Sequence, residues 1–145
     1  MVTYRKVAEL SQADAAYIAG LIDGEGTITL TRKHRHENRQ LAVTISNTEL
    51  RLLNFVLEVI GAGKVTRKRT SQSHHTPSFT YAIYNRQALA LLGQIQPYLR
   101  TYKVDRSELI LRNYIALTPR NGKYTEVLLK KRIEFEKTVL GIKAT

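Results

Sequence analysis

The chain of 145 residues contains no cysteine, which excludes a disulfide framework and any thiolate zinc site. No apolar run approaches the roughly 20 residues that a membrane helix needs, and the opening segment Met1–Leu10 lacks the apolar core of a secretion signal. The expectation is a soluble intracellular protein, of a prokaryotic cytoplasm or an organelle, with no membrane partner. Linkers, low-complexity tracts and internal repeats are also missing. Residues 1–145 therefore read as one domain, long enough to bury a core without staples. Acidic side chains are scarce: 12 Asp and Glu stand against 23 Lys and Arg, a formal charge of +11. The natural partner of such a field is a polyanion, nucleic acid first of all. Charge alone does not separate a nuclease from a passive basic binder.

What is present is a regular alternation of helical and strand patterns. Residues 12–23 read as a helix, with Ile18, Leu21 and Ile22 beside small residues that recur at helical spacing. Thr27–Lys33 reads as a strand, and His34 to Arg39 as a polar tip. In Gln40–Asn47, Leu41, Val43 and Ile45 alternate with Gln40, Ala42, Thr44 and Ser46, which is the period of a half-buried strand. Thr48 reads as the N-cap of a helix running to Ile60 and ended by Gly61 and Gly63. Lys64–Arg69 and Ser78–Asn85 form a second strand pair around a polar tip. Helices follow over Gln87–Ile95, Val104–Leu117 and Thr125–Leu140, separated by Pro97 and by Pro119 with Gly122. The order predicts an α+β fold: an αββαββα core, helices on one face of a four-stranded antiparallel sheet, and extra C-terminal helices.

Within the first helix, Ala16, Gly20 and Gly24 stand four residues apart on one side, so a second helix backbone can approach closely. If that partner is the same helix of a second copy, two-fold symmetry brings Glu25 against its mate. Two carboxylates that close repel unless a cation lies between them. Oxygen donors suit Mg²⁺, which also accepts phosphate oxygens. Taken alone, this segment is equally a tight packing helix with a glycine C-cap and a solvated Glu25.

The run Ile18-Ala19-Gly20-Leu21-Ile22-Asp23-Gly24-Glu25-Gly26 resembles the LAGLIDADG motif of homing endonucleases, and it stands before a strand as in that family. The likeness extends through the αββαββα order and is nearest to single-motif members that act as homodimers. It implies a saddle-shaped sheet, a double-stranded DNA partner, and metal-dependent hydrolysis of phosphodiesters on both strands across the minor groove of a long, near-palindromic site in an intron-homing system. Mg²⁺ is the implied cofactor, with Mn²⁺ as a substitute. Glu25 matches the catalytic acid, which would hold the metal with the backbone carbonyl of Gly24. Asp23 matches an acid that fixes the helix end and the dimer interface, alongside Ala16, Gly20 and Gly24. Asn47 matches a water-orienting amide, and Arg51 a basic residue of the same pocket. Lys103 matches a lysine that follows a Pro-aromatic-Leu segment, here Pro97-Tyr98-Leu99, with one residue inserted. Each has a plain alternative: a turn residue at Asn47, a solvated charge at Arg51, a nonspecific phosphate contact at Lys103.

β-Ribbons fit the major groove. The polar phase of the first ribbon supplies Thr29, Thr31, Lys33, Gln40, Thr44 and Ser46; the second supplies Lys64, Thr66, Lys68, Ser78 and Thr80. Arg32, Arg35, Arg39, Arg67 and Arg69 cluster around the tips and suit phosphate contacts. His34, His36, His74 and His75 also lie near the tips; with no cysteine and no acidic cluster beside them, groove or phosphate contact is the better reading than zinc. Two other functions fit the same fold: an RNA maturase that assists intron splicing, and a noncatalytic DNA-binding regulator. The retained acid at Glu25 favours cutting over both.

Overall fold

The computed structural model describes residues 5–68 and 76–145. Among these, helix α1 spans Gln12–Glu25, and strands β1 and β2 span Gly26–Thr31 and Gln40–Asn47. Helix α2 spans Leu50–Ile60, strands β3 and β4 span Lys64–Arg67 and Phe79–Tyr84, and α3 spans Asn85–Ile95. After a 3₁₀ turn, Gln96–Tyr98, come α4, Lys103–Asn113, and α5, Glu126–Gly141. The strands form one antiparallel sheet in the order β1-β2-β4-β3. The α+β fold and its αββαββα order are those expected.

Alternation decides which face is covered. Ile28, Leu30, Leu41, Val43, Ile45, Tyr81 and Ile83 share one side and are buried together with the helices. Leu53, Val56 and Ile60 bring α2 onto that side. Full burial of one such side chain contributes about 1.5–3 kcal/mol. Ala88, Leu91, Leu92 and Ile95 do the same for α3. The α2–β3 turn needs its two glycines: Gly61 closes α2 at φ 77° and Gly63 lies at φ 98°. The buried Tyr81 hydroxyl donates to the Ala62 carbonyl between them at 2.6 Å.

Several boundaries differ from those expected. β1 ends at Thr31, which leaves Lys33 in the exposed loop rather than in the strand. β3 ends at Arg67, although Lys68 N–H still donates to the Ser78 carbonyl at 2.8 Å. Arg69, His74 and His75 lie outside the described residues. Thr48 does not cap α2. Glu49 occupies the N-cap position, and the Asn47 side chain accepts its N–H at 2.7 Å. α4 stops at Asn113, four residues before Leu117.

Candidate functional site

Glu25 ends α1 and Asn47 ends β2, and the pairing of Gly26 with Ile45 sets these two ends side by side. Asn47 Nδ2 donates to Glu25 Oε2 at 2.6 Å. The direction is fixed, because Glu49 N–H can only donate and its partner is Asn47 Oδ1. Asn47 is thus a turn residue whose amide also holds the Glu25 carboxylate. The Glu25 side chain is exposed, as is Gly24. These are oxygen donors at the end of a helix, the donor chemistry a hard cation prefers. Among the described residues, no three acidic or histidine side chains gather into a cluster of their own.

The helix end beneath Glu25 is tied down by residues from the start of α4. Asp23 accepts the N–H of Arg100 at 2.8 Å, the N–H of Thr101 at 3.2 Å and the Thr101 hydroxyl. Its carboxylate is engaged within the chain. Its bonds tie the helix end to the segment that leads into α4 rather than to the bare side of α1. Lys103 departs further from its expectation as a free cation at the phosphate. It is only 7% exposed and donates to the carbonyls of Ile22 at 2.7 Å and Asp23 at 2.9 Å. A helix leaves its last carbonyls without partners, and a cation there opposes the helix dipole. Lys103 gives the Asp23 carbonyl a donor and adds one to the Ile22 carbonyl, which already accepts the Gly26 N–H, so it is a cap rather than a projecting charge. Burial pulls its pKa below the usual lysine value; the Asp23 carboxylate raises it in part, and Arg106 lowers it. Arg51 is exposed in the first turn of α2, where it lines a groove with Asp14, Tyr17, Glu49 and Phe55. It makes no bond to Glu25 or Asn47.

On α1 the residues Ala15, Ile18, Ala19 and Ile22 are buried, while Ala16, Gly20 and Gly24 face outward. Among the described residues, a Cβ added at Gly20 or Gly24 would meet nothing within 4 Å. Gly26 is the opposite case: a Cβ there would lie 2.7 Å from Ile22 Cα, so the motif's last glycine permits the helix-to-strand corner. Beside the bare stripe, Tyr17, 52% exposed, packs edge-on against the exposed ring of Phe55.

The face of the sheet away from the helices is arranged in cross-strand rows. Thr31 lies opposite Gln40, and Thr29 opposite Ala42, which in turn pairs with Tyr84. Thr44 lies between Thr27 and Ala82, and Lys64 pairs with Ala82 from the far side. Ser46 and Thr80 share a 2.9 Å hydrogen bond, with Thr66 beyond. The expected polar phase is therefore present in Thr29, Thr31, Gln40, Thr44, Ser46, Lys64, Thr66 and Thr80, with Lys68 and Ser78 just past the strand ends. The tip arginines behave differently. Arg32 and Arg35 are exposed and line a cleft against α5. Arg67 shares the phase of Val65, the helix side. Arg39 is drawn inward: its N–H donates to Glu136, its Nη1 reaches the Leu30 carbonyl, and its Nε lies 3.9 Å from Glu136. It ties the tip end of the ribbon to α5 rather than standing free for a phosphate.

Four long-range anchors were not foreseen from sequence: Thr101, Arg106, Arg132 and Glu136. Arg106 is buried and donates to the carbonyls of Ile28 and Ile142. Arg132, 2% exposed, pairs with Glu136 at 2.9 Å and donates to the carbonyls of Leu117 and Arg39. Only the Arg132–Glu136 spacing of four residues was visible as a helical ion pair.

The model of the LAGLIDADG-like domain family matches residues 12–96, more than half of the chain. Among solved structures, the homing endonuclease I-CvuI in complex with its target in the presence of Ca is 18% identical with a TM-score of 0.73; the match covers 91% of this chain and 83% of that one. I-CvuI with the I-CreI target and Mg, in which the DNA is not cleaved, gives 19% and 0.74 at the same coverage. The archaeal intron-encoded homing endonuclease I-Vdi141I, complexed with DNA, gives 13% and 0.62 over 92% of this chain and 86% of that one. With the motif helix, the αββαββα order and this match over residues 12–96 in agreement, the chain belongs to the LAGLIDADG family.

Proposed function

We propose that the protein is a site-specific, intron-encoded DNA homing endonuclease. It acts as a homodimer on a long, near-palindromic duplex and hydrolyses one phosphodiester on each strand with Mg²⁺, for which Mn²⁺ substitutes. The observation that carries this reading is the exposed Glu25 carboxylate, oriented by Asn47, at the end of a helix whose outer side is bare. Two glycines inside a helix cost about 1 kcal/mol each relative to alanine. Among the described residues nothing fills the space beside Gly20 or Gly24, and a body outside the chain gives the reason for them. A second copy of α1 supplies that body and brings the second carboxylate.

Glu25 and the Gly24 carbonyl would hold the cation. The cation supplies Lewis-acid stabilisation of charge on the phosphoryl oxygens. Asn47 keeps one Glu25 oxygen turned toward β2. Asp23 and Lys103 hold the helix end in place, which is the preorganisation such chemistry requires. Arg51, exposed at the start of α2, supplies positive charge beside the scissile strand. The open sheet face reads the major groove, and the net charge of +11 draws the duplex in. The structural relatives complexed with DNA support this reading.

The test begins by selecting a bound duplex from a randomised pool with Ca²⁺ present, then adding Mg²⁺. Wild type cuts both strands; Glu25→Gln binds with equal affinity and does not cut. Normal cutting by Glu25→Gln refutes the site, and selection of RNA over duplex DNA favours the maturase. Gly20→Leu gives a monomer by sedimentation; an unchanged mass rules out the α1 contact.

A further inference from the structure

We propose that Asn85 is a positioning residue for base specificity: it fixes the Gln40 amide so that Gln40 presents only N–H donors to the duplex. This rests on the reading of the open sheet face as the DNA-contacting surface. Gln40 stands at the start of β2 on that face, beside Thr31. β4 ends at Tyr84, one residue before its ladder would come opposite Leu41, and Asn85 turns the chain into α3 at φ 53°. Asparagine tolerates the left-handed region better than most residues, yet glycine would do so more cheaply. What asparagine adds is its amide.

The direction of each hydrogen bond follows from one backbone group. Leu41 N–H can only donate, and its partner is the Tyr114 hydroxyl oxygen at 3.3 Å. The phenolic proton must therefore go to another acceptor, and Asn85 Oδ1 lies 2.7 Å away. That places Asn85 Nδ2 on the other side, where it donates to Gln40 Oε1 at 3.1 Å. The relay ends with the Gln40 carbonyl occupied and its NH₂ group free.

The relay has a rigid base. Tyr114 is buried, and the Arg132 guanidinium lies 5.0 Å over its ring. Arg132 donates to the Arg39 carbonyl, while Glu136 accepts both Arg132 Nε and Arg39 N–H. The backbone entering β2 is thus held at Arg39 and again at Leu41. A glutamine free to use both ends of its amide pairs bidentately with adenine in the major groove. With its carbonyl turned toward Asn85, Gln40 cannot set oxygen and NH₂ side by side against one base, and its outward NH₂ matches acceptors instead. Guanine, with O6 and N7 side by side and no donor on that edge, fits best, and the cytosine amino group fits worst.

The experiment measures affinities of the full chain for the selected duplex with every base pair replaced in turn. Wild type should prefer guanine at one position in each half-site, by about tenfold over cytosine. In Asn85→Asp, the carboxylate accepts from both Tyr114 and Gln40. Gln40 must then turn its NH₂ inward and expose Oε1, so the preference at that position shifts to cytosine. Gln40→Glu, on the surface and without burden on folding, shifts it the same way. Tyr114→Phe, checked for a cooperative melt, flattens discrimination there and leaves other positions unchanged. If wild type selects no duplex, the DNA-reading assignment falls and takes this one with it. If wild type selects a duplex and Gln40→Glu shifts the preference but Asn85→Asp does not, the relay is wrong; if neither shifts it, Gln40 reads no base and the proposal fails while the DNA-reading assignment stands.

Discussion

The two ends of β2 solve the same problem by different means. At the Asn47 end, one local bond from Glu49 N–H turns the amide toward an exposed carboxylate. At the Gln40 end, the orientation comes through Asn85 and Tyr114 from a buried guanidinium–carboxylate pair in α5. The first arrangement is short and open to solvent. The second is long-range and draws on a charge pair sealed from water. The contrast suggests that positioning a group for chemistry needs only the helix end and strand end that already meet there. Holding a reading side chain still, at the far end of a ribbon, needs support from another layer.

Breaking the buried support should have the larger consequence. Arg132→Met leaves Glu136 buried without its partner, and such loss costs about 3–5 kcal/mol. Urea denaturation should show it. A loss below about 1 kcal/mol would mean that the α5 pair carries no weight in holding the tip end of the ribbon. Asn47→Asp acts at the other end. It sets a second carboxylate against Glu25, and loss of a partner to a metal ligand typically costs about 10- to 100-fold in activity. Cleavage rate should fall by that much while affinity for the duplex holds; equal losses in both would show that Asn47 serves the fold rather than the site.

The smallest effect sharpens the comparison by testing the middle of the strand pair, where Tyr81 lies opposite Ile45. Burial raises the Tyr81 pKa above its ordinary value of 10.0. The folded state therefore keeps a proton that the unfolded chain releases. Stability is full below about pH 10 and declines as pH rises above it. In Tyr81→Phe this alkaline decline should become shallower, although the variant loses the bond to Ala62 and starts from a lower value. An identical slope in both proteins would place the alkaline sensitivity elsewhere.

Much of this was legible in the sequence because it is local. The motif helix, the alternation of Leu41, Val43 and Ile45, and the glycines after Ile60 each declare themselves within a few residues. Glu25 and Asn47 could be paired because a helix–strand corner and an antiparallel neighbour bring their ends together. What stayed hidden depends on distant partners. Lys103 reads as a cation free for a phosphate until the carbonyls of Ile22 and Asp23 are placed against it. Arg39 looks like a tip cation until Glu136, 97 residues away, accepts its N–H. Thr48 reads as the cap of α2 because it is the polar residue before the apolar run, but the helix begins one residue later, with Glu49 at the N-cap and its N–H held by the Asn47 side chain.

The bond from Asp23 to Thr101 has a further bearing on how this protein can be taken apart. The segment that carries the family signature stops at residue 96, whereas the groups that finish its helix begin at Arg100. A chain cut after Ile95 would retain every letter of the motif. It would also strip the Asp23 carboxylate of its Arg100 and Thr101 donors and the Asp23 carbonyl of Lys103, and leave the Ile22 carbonyl with the Gly26 N–H alone. Transplanting the motif helix into another scaffold therefore requires carrying the α4 entrance along with it.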